Sequence, residues 1–185
     1  MVERTLHGLT VECVQGDIAN QPDVEAVVNA ANAELRRGGG VAGAIHRAAG
    51  PGLEEECRPL APIRPGQAVL TGAHGLPNRH VIHCLGPVYG LDEPAEELLA
   101  SCYRNALRLA EAHGIGSVAF PAISTGAFGY PMASAARVAL EAIRELSGQL
   151  VRVRRVRFVL HDRESQSVHA RVLRELPATV SGESQ

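Results

Sequence analysis

Short apolar runs separated by glycine, proline and polar turns recur along the chain, and they follow two different periods. Leu9 to Val14 reads as a strand closed by Gln15-Gly16-Asp17, and Val24 to Val28 as a short buried strand. Gly38-Gly39-Gly40 interrupts the chain before a helical segment, Val41 to Ala49, stopped by Gly50-Pro51. Gly52 to Cys57 fits a further short helix. Ala68 to Thr71 and His80 to Leu85 are strand candidates. In Ala95 to His113, Leu98, Leu99, Cys102, Ala106, Leu109 and Ala110 recur at helical spacing, and Gly114 and Gly116 end the run. Ser117 to Ile123 predicts a strand, Pro131 opens a helix to about Leu146, Val153 to Leu160 a strand, and Ser165 to Leu176 a closing helix.

Strands alternating with helices predict an α/β fold with a largely parallel or mixed sheet covered on both faces. No repeat or linker divides the chain, so a single domain is expected over residues 1–178. The polar tail from Thr179 to Gln185 is expected to be disordered.

The 185 residues suit one domain with a sizeable core, and 45% apolar with 21% charged residues is ordinary for a globular protein. The formal net charge of −2 disfavours a dedicated nucleic-acid binder. All basic residues are arginine, which removes Schiff-base or lysine-base chemistry. Cys13, Cys57, Cys84 and Cys102 fit no zinc spacing and read as buried small hydrophobes, so no metal is expected. There is no basic-then-apolar leader and no membrane-length apolar run, which leads to the expectation of a reducing, cytoplasmic setting.

In open α/β sheets, ligands bind outside the carboxyl ends of the strands. Asp17-Ile18, Asn29 to Gly40, Gly86-Pro87, Ser124 to Gly129 and His161-Asp162 all fall at such ends. Gly38-Gly39-Gly40-Val41 leaves backbone N–H groups open beside a helix start, which suits a phosphate or diphosphate but equally a plain flexible turn. Neither a P-loop nor G-x-G-x-x-G matches. Ser124-Thr125-Gly126-Ala127-Phe128-Gly129 is a second such loop, and two of them suggest a diphosphate gripped from both sides. Phe128 is either a core ring or an exposed one that packs on a sugar. Asp17 is able to accept from an exocyclic amine such as adenine N6, or to cap a turn. Asn29 and Asn32 are able to fix sugar hydroxyls or cap a turn. His46 fits packing better than catalysis. Arg152, Arg154, Arg155 and Arg157, alternating with apolar residues, read first as a solvated strand edge.

Gln15-Gly16-Asp17-Ile18, Val28-Asn29-Ala30-Ala31-Asn32, Gly38-Gly39-Gly40-Val41-Ala42-Gly43-Ala44-Ile45-His46-Arg47-Ala48-Ala49-Gly50, His83-Cys84-Leu85-Gly86-Pro87 and Ile123 to Pro131 together resemble the macrodomain signature, in order. The resemblance spans about Thr10 to Leu176 and is nearest to the MacroD type. It implies a three-layer α/β/α fold with a mixed six-stranded sheet, and ADP-ribose or a mono-ADP-ribosylated protein as partner, with no cofactor. It implies that Asp17 bonds adenine N6 with the Ile18 backbone beside it, and that His161 lies near the adenine. Gly38 to Val41 and Ser124 to Phe128 would wrap the diphosphate and distal ribose. Asn32 and Phe128 would be the catalytic pair that orients and presses that ribose. The implied activity is hydrolysis of ester-linked ADP-ribose on Asp or Glu, with O-acetyl-ADP-ribose as a second substrate. One position departs from the MacroD pattern: Gly-Gly-Gly-Val is followed by Ala42 rather than the Asp to which a catalytic role is assigned. That departure favours the rival reading, a non-catalytic ADP-ribose reader. RNA or poly(ADP-ribose) binding through the Arg152–Arg157 stretch ranks last.

Overall fold

The computed structural model describes residues 1–179. Thr179 apart, the tail expected to be disordered lies outside the described residues. Seven strands form one sheet in the order β1-β2-β7-β6-β3-β5-β4. They are β1 (Val2–Leu6), β2 (Leu9–Gln15), β3 (Ala26–Ala30), β4 (Ala68–Gly72), β5 (His80–Cys84), β6 (Ser117–Phe120) and β7 (Arg155–Leu160). The five central strands run parallel, and β1 and β4 are antiparallel edges.

The expected six strands are thus seven. The added one, β1, pairs with β2 through a two-residue turn at His7 (φ 47°) and Gly8 (φ 82°). Both residues sit in the left-handed region that a tight hairpin demands. Val-Glu-Arg-Thr-Leu carries only a weak apolar alternation because an edge strand needs little apolar surface.

Helices cover both faces. On one, α3 (Ala95–Ala112), α4 (Met132–Ser147) and α5 (Arg163–Glu175) pack over Val11, Cys13, Phe120 and Phe158. On the other, α1 (Gly40–Ala49) and α2 (Gly52–Cys57) pack over Val27, Val81 and Ala119. This alternation along each central strand, one residue to each core, produces the three-layer α/β/α arrangement. All four cysteines are free and buried, and burial pushes the Cys13 thiol up to about 12. Among the described residues no helix is long and apolar enough to cross a membrane.

Three strands shift by two residues or more, β7 beginning at Arg155 rather than Val153. Ser117 to Ile123 stops as a strand at Phe120, because Pro121 has no N–H to give the ladder. The run read as Val24 to Val28 becomes Ala26–Ala30, so Asn29 lies inside β3 rather than after it. A further correction concerns the arginines. β7 is not a solvated edge but lies between β2 and β6. Its Arg155 and Arg157 both pair with Glu12, the register neighbour of Arg157 on β2.

Candidate functional site

Because β2, β7, β6, β3 and β5 are parallel, their carboxyl ends share one rim of the sheet. The loops leaving them therefore meet. They enclose two adjoining cavities of about 350 and 380 Å³, which share Gly40, Val41, Ala122 and Gly126 as their common wall. That range is typical of small-molecule clefts.

One wall is the start of α1. Gly39 is its N-cap and offers no side chain to the first turn, so the amides that a helix leaves unpaired face outward without a protein cap. A Cβ at Gly39 or Gly40 would meet nothing within 4 Å, so this surface is open to close approach by a ligand. The loop is held from behind by Gly43, where a Cβ would lie 2.4 Å from the Gly38 carbonyl oxygen. Helix and glycine loop are in contact with no room for a side chain between them.

The opposite wall is the Ser124–Tyr130 loop. Ser124 takes φ 68°, the Tyr130 amide donates to the Ser124 carbonyl at 2.9 Å, and Thr125 Oγ1 donates to the Ala122 carbonyl at 2.8 Å. Among the described residues, the amides of Gly126, Ala127 and Phe128 donate to no protein oxygen. Gly86 closes the same corner: a Cβ there would lie 2.1 Å from Ser124 Oγ. Facing amide arrays of this kind create positive potential suited to an anion between them.

The two ends of the cleft differ. At one end lie Asn32, Ala42 and the half-buried ring of Phe128. The Asn32 amide accepts from Arg36 N at 2.9 Å and donates to Arg36 O at 2.8 Å, so its rotamer is set by its own loop. Among the described residues no ionisable side chain lines this cavity. At the other end lie Asp17, Ile18, His161 and Ser165. One Asp17 oxygen accepts from Ala19 N at 2.9 Å, and the residue is exposed. His161 is 85% exposed and stands 3.0 Å from Asp162, the residue that caps α5 through Ser165 N.

The structure thus brings Asp17, Ile18, Gly38 to Val41, Asn32, Ser124 to Phe128 and His161 to one cleft. Asn29 does not join them. Its side chain turns under α1, where Nδ2 lies 3.1 Å from His83 Nδ1, and His83 Nε2 lies 2.8 Å from Thr71 Oγ1. Burial, with nearby His46 adding to it, lowers His83 to about 3 and keeps it neutral. His46 is also buried and lowered by desolvation, in keeping with a packing role. Among the described residues no group of three or more His, Cys, Asp or Glu is arranged to hold a metal ion. Sequence reasoning passed over Gln21, whose Nε2 donates to the Asp17 carbonyl at 2.9 Å. Its only signal is its place four residues after Asp17 in a loop.

The Macro domain family model matches residues 28–139. A Macro domain-containing protein of Streptomyces nogalater is 48% identical over 170 residues, covering 89% of this chain and 92% of the relative. An O-acetyl-ADP-ribose deacetylase of Cronobacter sakazakii is 46% identical over 168 residues, covering 88% and 93%. The Oceanobacillus iheyensis macrodomain with ADP superposes with a TM-score of 0.89 at 37% identity, over 93% of this chain and 94% of that one. The Trypanosoma brucei macrodomain in complex with ADP-ribose gives 0.80 at 34%, over 89% and 68%. With its loops, topology and sequence in agreement with these proteins, the chain belongs to the Macro domain family.

Proposed function

We propose that the protein binds ADP-ribose across this cleft and hydrolyses the ester that joins the distal ribose to an Asp or Glu of a modified protein. The observation that carries the reading is the pair of facing backbone loops, α1 N-terminus and Ser124–Phe128, with a cavity on each side. A diphosphate between them puts the adenosine toward Asp17 and the distal ribose toward Asn32 and Phe128. Macrodomains solved with ADP-ribose and relatives named O-acetyl-ADP-ribose deacetylase support the ligand and the ester chemistry.

Asn32, already fixed by Arg36, keeps one N–H and one lone pair to hold a ribose hydroxyl. Phe128 packs on the sugar. Since no ionisable side chain lines the distal cavity, the proton acceptor is a phosphate oxygen of the substrate itself. A water between the diphosphate and the distal C1″ loses its proton to that oxygen as its oxygen bonds to C1″. The C1″–O bond breaks, the carboxylate leaves, and ADP-ribose is released. The protein supplies orientation and the amide field, each worth several kcal/mol of barrier in well-ordered sites. O-acetyl-ADP-ribose presents a similar ester to the same end.

The second reading, a binder without turnover, draws on Ala42, a buried methyl where a carboxylate would otherwise reach the ribose. Mass spectrometry of a glutamate-mono-ADP-ribosylated protein after incubation separates the two. Loss of the modification with release of ADP-ribose is expected. Tight binding with the modification intact establishes the reader.

A further inference from the structure

The cleft's adenine end rests on a polar assembly that the mechanism does not use. Glu12, fully buried on β2, accepts from Arg157 Nε at 2.9 Å and from Arg155. Arg157 Nη1 donates to Gln21 Oε1 at 2.9 Å and to Asp23 Oδ1 at 2.8 Å, and its Nη2 to Asp23 Oδ2 at 2.7 Å. The hydrogen bonds from Arg157 hold the Asp23 carboxyl down to about 2 and raise the guanidinium in turn. Two cations and two anions cancel, so the assembly carries no net charge. Gln21, 8% exposed, uses its other end: Nε2 donates to the Asp17 carbonyl at 2.9 Å. An unbroken chain of hydrogen bonds therefore runs from the sheet interior, through Arg157 and Gln21, to the backbone of the residue whose carboxylate faces the cleft.

This arrangement replaces a helix. The face of β2 and β7 that bears Glu12, Arg155 and Arg157 lies beyond α1 and α2, which pack over β3 and β4. The loop from Asp17 to Val24 covers it instead. Ile18 and Val24 anchor the two ends of this loop in the apolar cluster beneath α1, while the buried polar groups between them need hydrogen-bond partners to take one conformation. The planar fork of arginine supplies them because its three nitrogens reach Glu12, Gln21 and both oxygens of Asp23 at once, a spread that the single nitrogen of an ammonium does not span.

We propose that Arg157, acting through Gln21, is a positioning residue for base selectivity: it fixes the Asp17 carbonyl and so aims the Asp17 carboxylate and the Ile18 amide at the adenine edge. The proposal rests on the reading that this end of the cleft takes adenine. Neither Arg157 nor Gln21 lines either cavity, so they act through the loop.

The test compares two ligands by isothermal titration calorimetry: ADP-ribose, and inosine diphosphate ribose, in which a carbonyl oxygen replaces the 6-amino group. The native protein is expected to prefer ADP-ribose, and Asp17→Ala is expected to remove that preference. Gln21→Met keeps the side-chain length but loses both bonds. It is expected to weaken ADP-ribose about fivefold while leaving the inosine ligand within about twofold, the scale of one lost hydrogen bond. The double variant with Asp17→Ala is then no weaker than Asp17→Ala alone. Gln21→Glu, which keeps an acceptor for Arg157 but replaces the N–H toward Asp17 with a charged oxygen that repels its carbonyl, moves the preference in the same direction if methionine disturbs folding. Arg157→Lys, which leaves a cation for Glu12 but no fork, moves the preference in the same direction. Equal weakening of both ligands, or none, in variants that fold overturns the proposal while leaving the adenine reading of Asp17 intact. A native protein with no preference between the ligands overturns that reading, and the proposal with it.

Discussion

The two ends of the cleft are built from different materials. The end proposed for the diphosphate and distal ribose is backbone: glycines without side chains, amides without protein partners among the described residues, and an asparagine held by its own loop. The end proposed for adenine is side chain: Asp17 and His161 at the rim, with Glu12, Arg157, Gln21 and Asp23 beneath. Backbone amides cannot be mutated away, but they move as a body when anything intrudes behind them. Side chains are removable one at a time, and each loss is local. The first end is therefore expected to fail by displacement and the second by degrees.

The sharpest way to break the comparison is Gly43→Ala. Its methyl would meet the Gly38 carbonyl oxygen at 2.4 Å, and a backbone oxygen cannot swing aside as a flexible side chain can, so the triple-glycine loop must move. Displacement of about 1 Å can cost on the order of a hundredfold, and a loss of that size in both ADP-ribose affinity and turnover is expected from calorimetry and single-turnover assay. Retained affinity shows that the loop is not a rigid cradle.

Asn32→Ala comes next. It frees the Arg36 segment and removes the proposed ribose contact, so turnover is expected to fall about a hundredfold while ADP-ribose affinity falls less than about tenfold. Equal losses in both would make Asn32 a binding residue only.

The buried His83 beneath α1 sets a third test, on stability. Its pKa is near 3 when folded and about 6.5 when unfolded, so folding expels a proton between those values. Its share of stability is complete above pH 6.5 and is lost as pH falls, by up to about 1.4 kcal/mol per unit. His46 and His169, lowered by desolvation, act in the same direction. Urea melts between pH 7 and 4.5 are expected to show this slope, flattened in His83→Gln. An unchanged slope assigns the acid sensitivity to the other two histidines.

The smallest effect is expected at His161. A side chain 85% exposed contributes little, so His161→Ala should weaken ADP-ribose no more than about threefold. A larger loss would show that the ring closes over the base when ligand is bound.

The cleft was legible in the sequence to different depths. Two glycine loops at strand ends are local signals: glycine is where backbone must be bare, and the reason is steric and short-range. Strand ends sharing a rim followed from the alternation of strands and helices. Asn29 was misplaced because a polar residue after an apolar run reads as the strand's end. Only the ladder with β5, which pairs Asn29 with His83 and Ala30 with Cys84, shows that the strand continues. The arginine alternation of β7 was visible, but its meaning was not. An arginine on one face of a strand looks alike whether that face meets water or Glu12.

By itself, then, the sequence determined the α/β alternation, the order of the loops and the family to which they belong, because periodicity and glycine placement act over a few residues. Only the tertiary structure decided that β7 is central, that β1 adds a seventh strand, and that Arg157 is buried and paired. Those outcomes depend on which strands become neighbours and on charges brought together from distant parts of the chain, Glu12 and Arg157 among them.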